Sequence, residues 1–141
     1  MSLSVAYIGF GNSVVNYHLP YLEARPSIKV KSIYRRAEDR IGDTDRENYY
    51  PSIQFTTDLD DLWNDAEIEL IVVCTHVDSH AYYAKLALEH NKHVLVEKPF
   101  AASSEEAQMI FDLAARKRAY CYGLPESPIR RRLPDTNKGA G

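Results

Sequence analysis

The stretch Val5-Ala6-Tyr7-Ile8-Gly9-Phe10-Gly11-Asn12-Ser13-Val14 decides the fold. Val5 to Ile8 is an uncharged apolar run, which reads as a central strand covered on both faces. Gly9 lets the backbone turn sharply as it leaves that strand. Gly11, lacking a Cβ, leaves room for a pyrophosphate beside the main chain, at the positive N-terminus of the next helix. Val14 stands where a third glycine would complete the Gly-x-Gly-x-x-Gly fingerprint. Taken alone, Gly-x-Gly at such a place also fits a tight strand–helix turn with no ligand. Its place at the head of an alternating strand–helix chain favours the nucleotide reading.

Working outward, Asn12 to about Glu23 is the first helix, offering Val14, Val15, Tyr17, Leu19 and Leu22 for burial. Pro20 inside it predicts a kink or an early end. Ile28–Tyr34 reads as a second strand of mixed character, and Arg36–Tyr50, polar and charged, as a loop or short helix. Ile53–Thr56 is a brief third strand, and Asp58 caps a short helix carrying Leu59, Leu62 and Trp63. Ile68–Cys74 is the second buried strand. Ser79–His90 is a helix ended by Asn91, which tolerates a left-handed turn. His93–Val96 is a fifth strand, and Ser103 with Glu106 forms a capping box before the helix of Ala107, Ile110, Phe111 and Leu113.

Strands and helices alternating at this spacing predict an α/β fold, a Rossmann-type doubly wound parallel sheet. Ligands bind such sheets at the carboxyl ends of the strands, near the switch in strand order. The polar groups gather at those ends: Gly9–Ser13, Tyr34–Arg36, Thr75–His80 and Glu97–Pro99.

The 141 residues allow one domain of ordinary size, and the formal net charge of -3 argues against nucleic acid as a partner. No apolar run is long enough for a bilayer and no signal peptide opens the chain, so a cytoplasmic protein without a membrane partner is expected. Cys74 and Cys121 are too few for a disulfide framework. Cys74, His76, His80, His90 and His93 lie close in sequence but lack a matched pair on one helix face, so no metal is expected. A hydrolytic triad through Asp78 and His80 lacks a nucleophile elbow.

The chain resembles the Gfo/Idh/MocA oxidoreductases, relatives of glucose–fructose oxidoreductase and inositol 2-dehydrogenase. The resemblance rests on Gly9-Phe10-Gly11-Asn12 with His18-Leu19-Pro20, Val72-Val73-Cys74-Thr75 with His80, and Val96-Glu97-Lys98-Pro99-Phe100, and covers roughly residues 3–117. It implies a Rossmann domain binding NAD or NADP, followed in such proteins by a second α/β half holding substrate and a proton-transferring histidine. On this resemblance the C-terminal half of the family fold is expected to be missing from this chain.

On this resemblance Lys98 is the catalytic candidate, an ammonium near the nicotinamide that favours an alkoxide-like transition state. Gly9, Phe10, Gly11, Asn12 and Ser13 are the phosphate-side cofactor residues. Glu97 orients Lys98 or touches the ribose. Thr75 and His76 follow strand four where the family contacts the nicotinamide-side ribose, although ordinary helix capping also fits them. His80 is either a cofactor contact or a hydrogen-bonded structural histidine. An acid at the end of strand two normally reads the adenosine ribose. Here Tyr34-Arg35-Arg36 stands there, and a guanidinium binds a 2′-phosphate, so Arg35 and Arg36 favour NADP over NAD.

From about Arg118 the periodicity fails, and Leu124–Pro134 holds proline and arginine without a period. The expected division is a dinucleotide-binding domain over 1–117 and an irregular basic tail over 118–141. One choice of codons for Leu124 onward, read a base later, spells Tyr-Gln-Asn-Arg-Arg-Phe-Asp, similar to the family's continuation. A frameshifted, truncated chain is therefore expected, with strand six lost and strand five left as an edge that invites self-association. Three functions stand: an oxidoreductase for a sugar, polyol or related hydroxyl or carbonyl substrate, present only as its cofactor half and inactive alone; a non-catalytic dinucleotide-binding or regulatory module; and an interaction protein using the basic tail.

Overall fold

The computed structural model describes residues 2–123. Six strands form one all-parallel sheet: β1 Leu3–Ile8, β2 Ile28–Tyr34, β3 Gln54–Thr56, β4 Ile68–Val73, β5 His93–Val96 and β6 Cys121–Gly123. Their order is β3-β2-β1-β4-β5-β6. The chain returns to the middle of the sheet between β3 and β4, so the switch point lies between β1 and β4. This is the doubly wound arrangement that the sequence predicts.

Side-chain alternation divides the core by face. Ala6, Ile8, Ile71, Val73, Val94 and Val96 point to one side, where α4 (His80–Glu89) and α5 (Ser104–Lys117) cover them with Ala84, Leu88 and Ile110. Val5, Tyr7, Ile33 and Val72 point to the other side, against Val14 and Leu19. Each large aliphatic residue so buried contributes about 1.5–3 kcal/mol.

The first helix does not break where Pro20 predicts. The segment Val14–His18 is a π turn, and the Leu19 N–H reaches back five residues to the Val14 carbonyl. An α-helix, α1 (Leu19–Glu23), then begins with Pro20 in its first turn. Pro20 has no N–H to donate, and the π turn just before it lets the helix run on without a break. The widened turn takes up what would have been a kink, and it carries His18 beneath the sheet end.

Elsewhere most element boundaries agree with the sequence. The polar stretch after β2 folds into α2 (Ala37–Arg40) and a 3-10 turn over Thr44–Tyr49. The Asp58 carboxylate accepts from the Asp60 N–H ahead of α3 (Asp60–Trp63). Asn91 adopts φ 65° and ends α4. The capping box is half formed. Ser103 Oγ accepts from the Glu106 N–H, but the Glu106 carboxylate accepts from Ala102 instead of Ser103.

The largest correction concerns strand six. Arg118 takes a left-handed φ of 56° and closes α5, after which Cys121, Tyr122 and Gly123 pair with Val94, Leu95 and Val96. β5 is therefore an interior strand, and the expectation of an exposed apolar edge there does not hold. Backbone pairing plus one fully buried side chain, Cys121, is enough to form a strand too short to show periodicity. The Leu124–Pro134 segment and the out-of-frame reading of it lie outside the described residues. Among the described residues no helix is long and apolar enough to cross a membrane.

Candidate cofactor site

Gly9 leaves β1 at φ +113°, and a Cβ there would collide with the main-chain carbonyl of Cys74. Only a residue without that atom lets the β1 turn lie against the end of β4. Gly11 is the opposite case, with nothing within 4 Å of where its Cβ would stand. Its absent side chain serves open space, which is the cradle a pyrophosphate needs beside the first turn of a helix. The two glycines do different jobs.

A cleft of about 710 Å³ opens at this switch point. Gly9, Phe10, Gly11, Arg35, Arg36, Thr75 and His76 line it, seven of the sequence-derived candidates from three separate loops. Asn12, Ser13, His80, Glu97 and Lys98 stand outside that lining. Glu97 and Lys98 follow β5 at the same end of the parallel sheet as the glycine turn. Glu97 donates its N–H to the Val73 carbonyl at 3.0 Å. The Lys98–Pro99 peptide is cis.

Arg35 differs from expectation. It is only 4 % exposed and its guanidinium is turned inward, donating to Glu47 Oε2 at 2.8 Å, the Asp39 carbonyl at 2.8 Å, the Asp43 carbonyl at 3.2 Å and the Asp43 carboxylate. Those contacts fasten the segment 36–47 to the end of β2, in place of the phosphate contact expected of it. Arg36 is exposed and pairs with Asp39 on the cleft wall. Arg46 went unnoticed in the sequence. It packs 4.5 Å over the Phe10 ring, donates to the Phe10 carbonyl at 3.2 Å and to the Asp43 carboxylate, and lines the same cleft. Nothing periodic marks an arginine in a polar loop, so no local signal could have singled it out.

These ion pairs set an acid limit. Hydrogen bonds from Arg46 and Arg35 hold the Asp43 carboxyl well below its usual range, and Arg36 lowers that of Asp39. A carboxyl depressed on folding stabilises the fold above its unfolded value, about pH 4, and that support disappears as pH falls through the folded value. The denaturation midpoint is expected to drop below about pH 4 in the wild type and to drop less steeply in Asp43→Asn. Parallel curves for the two proteins would remove this assignment.

Both ring nitrogens of His80 are engaged by the main chain. It is 1 % exposed, and its two ring nitrogens each lie 2.8 Å from a main-chain carbonyl oxygen, of Pro99 on one side and Thr75 on the other. It ties the loop after β4 to the loop after β5. Thr75 Oγ1 lies 2.7 Å from Ser79 Oγ, and His76 Nδ1 accepts from the Asp78 N–H at 3.3 Å, so both also cap the turn over Val77–Ser79. The other histidines weighed as metal ligands are engaged elsewhere. His90 stacks on Trp63 at 4.9 Å, and His93 Nδ1 accepts from the Tyr120 N–H.

One more cluster lies behind the glycine turn. His18 Nε2 is 3.5 Å from the Glu97 carboxylate and 4.0 Å from Cys74 Sγ, while Nδ1 is 2.9 Å from the Tyr7 hydroxyl. Hydrogen bonds from His18 and Ser13 lower the Glu97 carboxyl, and burial raises the Cys74 thiol and the Tyr7 hydroxyl. In the sequence His18 stood out only as part of the His18-Leu19-Pro20 motif, with nothing to pair it with Cys74 or Glu97.

An all-parallel sheet in this order, with a glycine turn and an open cleft at its switch point, defines a dinucleotide-binding α/β domain. The family model described as "Oxidoreductase family, NAD-binding Rossmann fold" matches residues 3–123, and the chain belongs to that family, Gfo/Idh/MocA, as its NAD-binding domain. Oxidoreductase YhhX of Escherichia coli (strain K12) is 44 % identical over 137 residues, covering 96 % of this chain and 37 % of YhhX. The crystal structure of a probable oxidoreductase yhhX superposes with a TM-score of 0.79, over 86 % of this chain and 35 % of that one. KijD10, a 3-ketoreductase from Actinomadura kijaniata solved with TDP-benzene and NADP, is 25 % identical with a TM-score of 0.77, over 87 % of this chain and 38 % of that one. The chain thus spans about a third of the length of the curated relatives it matches.

Proposed function

We propose that this domain is the cofactor half of an NAD(P)-dependent oxidoreductase acting on a sugar, polyol or related hydroxyl or carbonyl substrate, with NADP preferred. The observation that carries the reading is the uncrowded Gly11 beside a cleft at the strand switch. In it the Gly9–Ser13 turn holds the pyrophosphate, with Thr75 and His76 on the facing wall. Arg36, exposed on the adenosine side, supplies the cation for a 2′-phosphate once its pairing with Asp39 is exchanged. Arg46 reinforces that charge from beside Phe10. The cofactor, when bound, supplies the hydride acceptor or donor. Lys98 supplies positive charge for the substrate oxygen as it gains alkoxide character. Turnover needs a further segment to hold substrate against the cofactor, so the domain alone is expected to bind without reacting.

Fluorescence titration with NADPH and NADH tests the binding part. Gly11→Ala is expected to keep the wild-type denaturation midpoint while weakening cofactor binding tenfold or more, because its methyl group stands where the phosphate must. Arg36→Asp is expected to turn the preference toward NADH. Equal affinities in wild type and Gly11→Ala would place the cofactor elsewhere, and an unchanged preference in Arg36→Asp would remove the NADP argument.

A further inference from the structure

We propose that His18, Cys74 and Glu97 form a binding site for a borderline-soft divalent ion, Zn²⁺ or its substitute Co²⁺. One ligand atom from each residue, Nε2, Sγ and a carboxylate oxygen, lies within 4.8 Å of the other two. Ligand atoms around a tetrahedral zinc ion, with bonds of about 2.0–2.3 Å, stand about 3.3–3.8 Å apart. The trio therefore has to close by roughly 1.5 Å at most, within the reach of side-chain rotation. Three protein ligands leave a fourth position open.

The backbone brings these groups together from three elements. His18 ends the π turn, Cys74 follows β4 with its N–H on the Ile8 carbonyl at 2.9 Å, and Glu97 follows β5 with its N–H on the Val73 carbonyl at 3.0 Å. One outer partner is in place as well. The Tyr7 hydroxyl, 2.9 Å from His18 Nδ1, can take that nitrogen's proton in a hydrogen bond and leave the Nε2 lone pair for the ion.

Charge and softness select the ion. A thiolate, a carboxylate and a neutral imidazole around a dication sum to zero, which suits a position where Cys74 is 7 % exposed. Sulfur and nitrogen ligands disfavour Mg²⁺ and Ca²⁺. An ion pair between His18 and Glu97 would explain two of the residues, but it gives no part to the thiol beside them. On binding, the Cys74 S–H bond breaks, an S–metal bond forms and one proton leaves to the buffer, so affinity rises with pH. The site stands whether or not the cofactor reading is right.

Co²⁺ titration of the chelator-treated chain tests it. One equivalent is expected to produce visible ligand-field bands and a near-ultraviolet thiolate charge-transfer band, both bleached by Zn²⁺. Cys74→Ser is expected to abolish the charge-transfer band, and Glu97→Gln and Tyr7→Phe to weaken binding about tenfold or more. His90→Gln and Cys121→Ala should leave the spectrum unchanged. If Cys74→Ser fails to fold, Glu97→Gln, altering a partly exposed group, decides the matter. No charge-transfer band, a band that survives Cys74→Ser, or affinity unmoved by Glu97→Gln overturns the site.

Discussion

Gly9→Ala is expected to destabilise the domain by about 3–5 kcal/mol, combining a left-handed backbone that costs a side chain about 1–3 kcal/mol with a steric overlap of similar size. The overlap cannot be relieved cheaply. The obstacle is the Cys74 carbonyl, and the same residue's N–H is fixed to the Ile8 carbonyl at 2.9 Å. Moving it means parting β1 from β4 at the centre of the sheet. Urea denaturation of Gly9→Ala beside Gly11→Ala measures the difference. The Gly11 variant should fall within about 1 kcal/mol of wild type, since its methyl group meets nothing. Equal losses in the two variants would mean that the strand ends are not packed as described.

Arg35→Ala should cost about 3–5 kcal/mol, the usual effect of removing one partner from a buried ion pair. Glu47 keeps Arg40, and Asp43 keeps Arg46, so the remaining charges are not wholly stranded and the lower figure is the better guide. The distinguishing feature is what else changes. With its donors facing Asp39, Asp43 and Glu47, Arg35 is expected to affect denaturation and loop protease sensitivity before it affects the choice between NADPH and NADH. Arg36→Asp should do the reverse. A folded Arg35→Ala protein with wild-type stability and reversed preference would contradict this division of labour.

The two neighbouring arginines show where sequence reading stops. Their place after β2 was legible from strand spacing alone, and both line the cleft. Which one turns inward depends on Asp43 and Glu47, acids eight and twelve residues on, whose approach is set by a 3-10 turn with no apolar period to announce it. The strands Leu3–Ile8, Ile68–Val73 and His93–Val96 were legible because burial on both faces leaves continuous apolar runs. β6 was not, because three residues bearing one apolar anchor derive their identity from pairing with β5. Likewise His18 was visible only as part of a motif. Its meeting with Cys74 and Glu97 joins positions 56 and 79 residues away, a conjunction that exists only after the sheet is assembled.

His80 grips oxygen atoms of the peptide chain, those of residues 75 and 99, and no side chain of either partner enters the bond. That fastening itself therefore does not depend on which side chains stand at 75 and 99. Across a lineage of such chains, drift at 75 and 99 should accompany changes of substrate, whereas position 80 should remain imidazole. Diversifying the two loops by random mutagenesis, with 80 held constant, is therefore a promising way to alter what the site accepts without unfastening the scaffold.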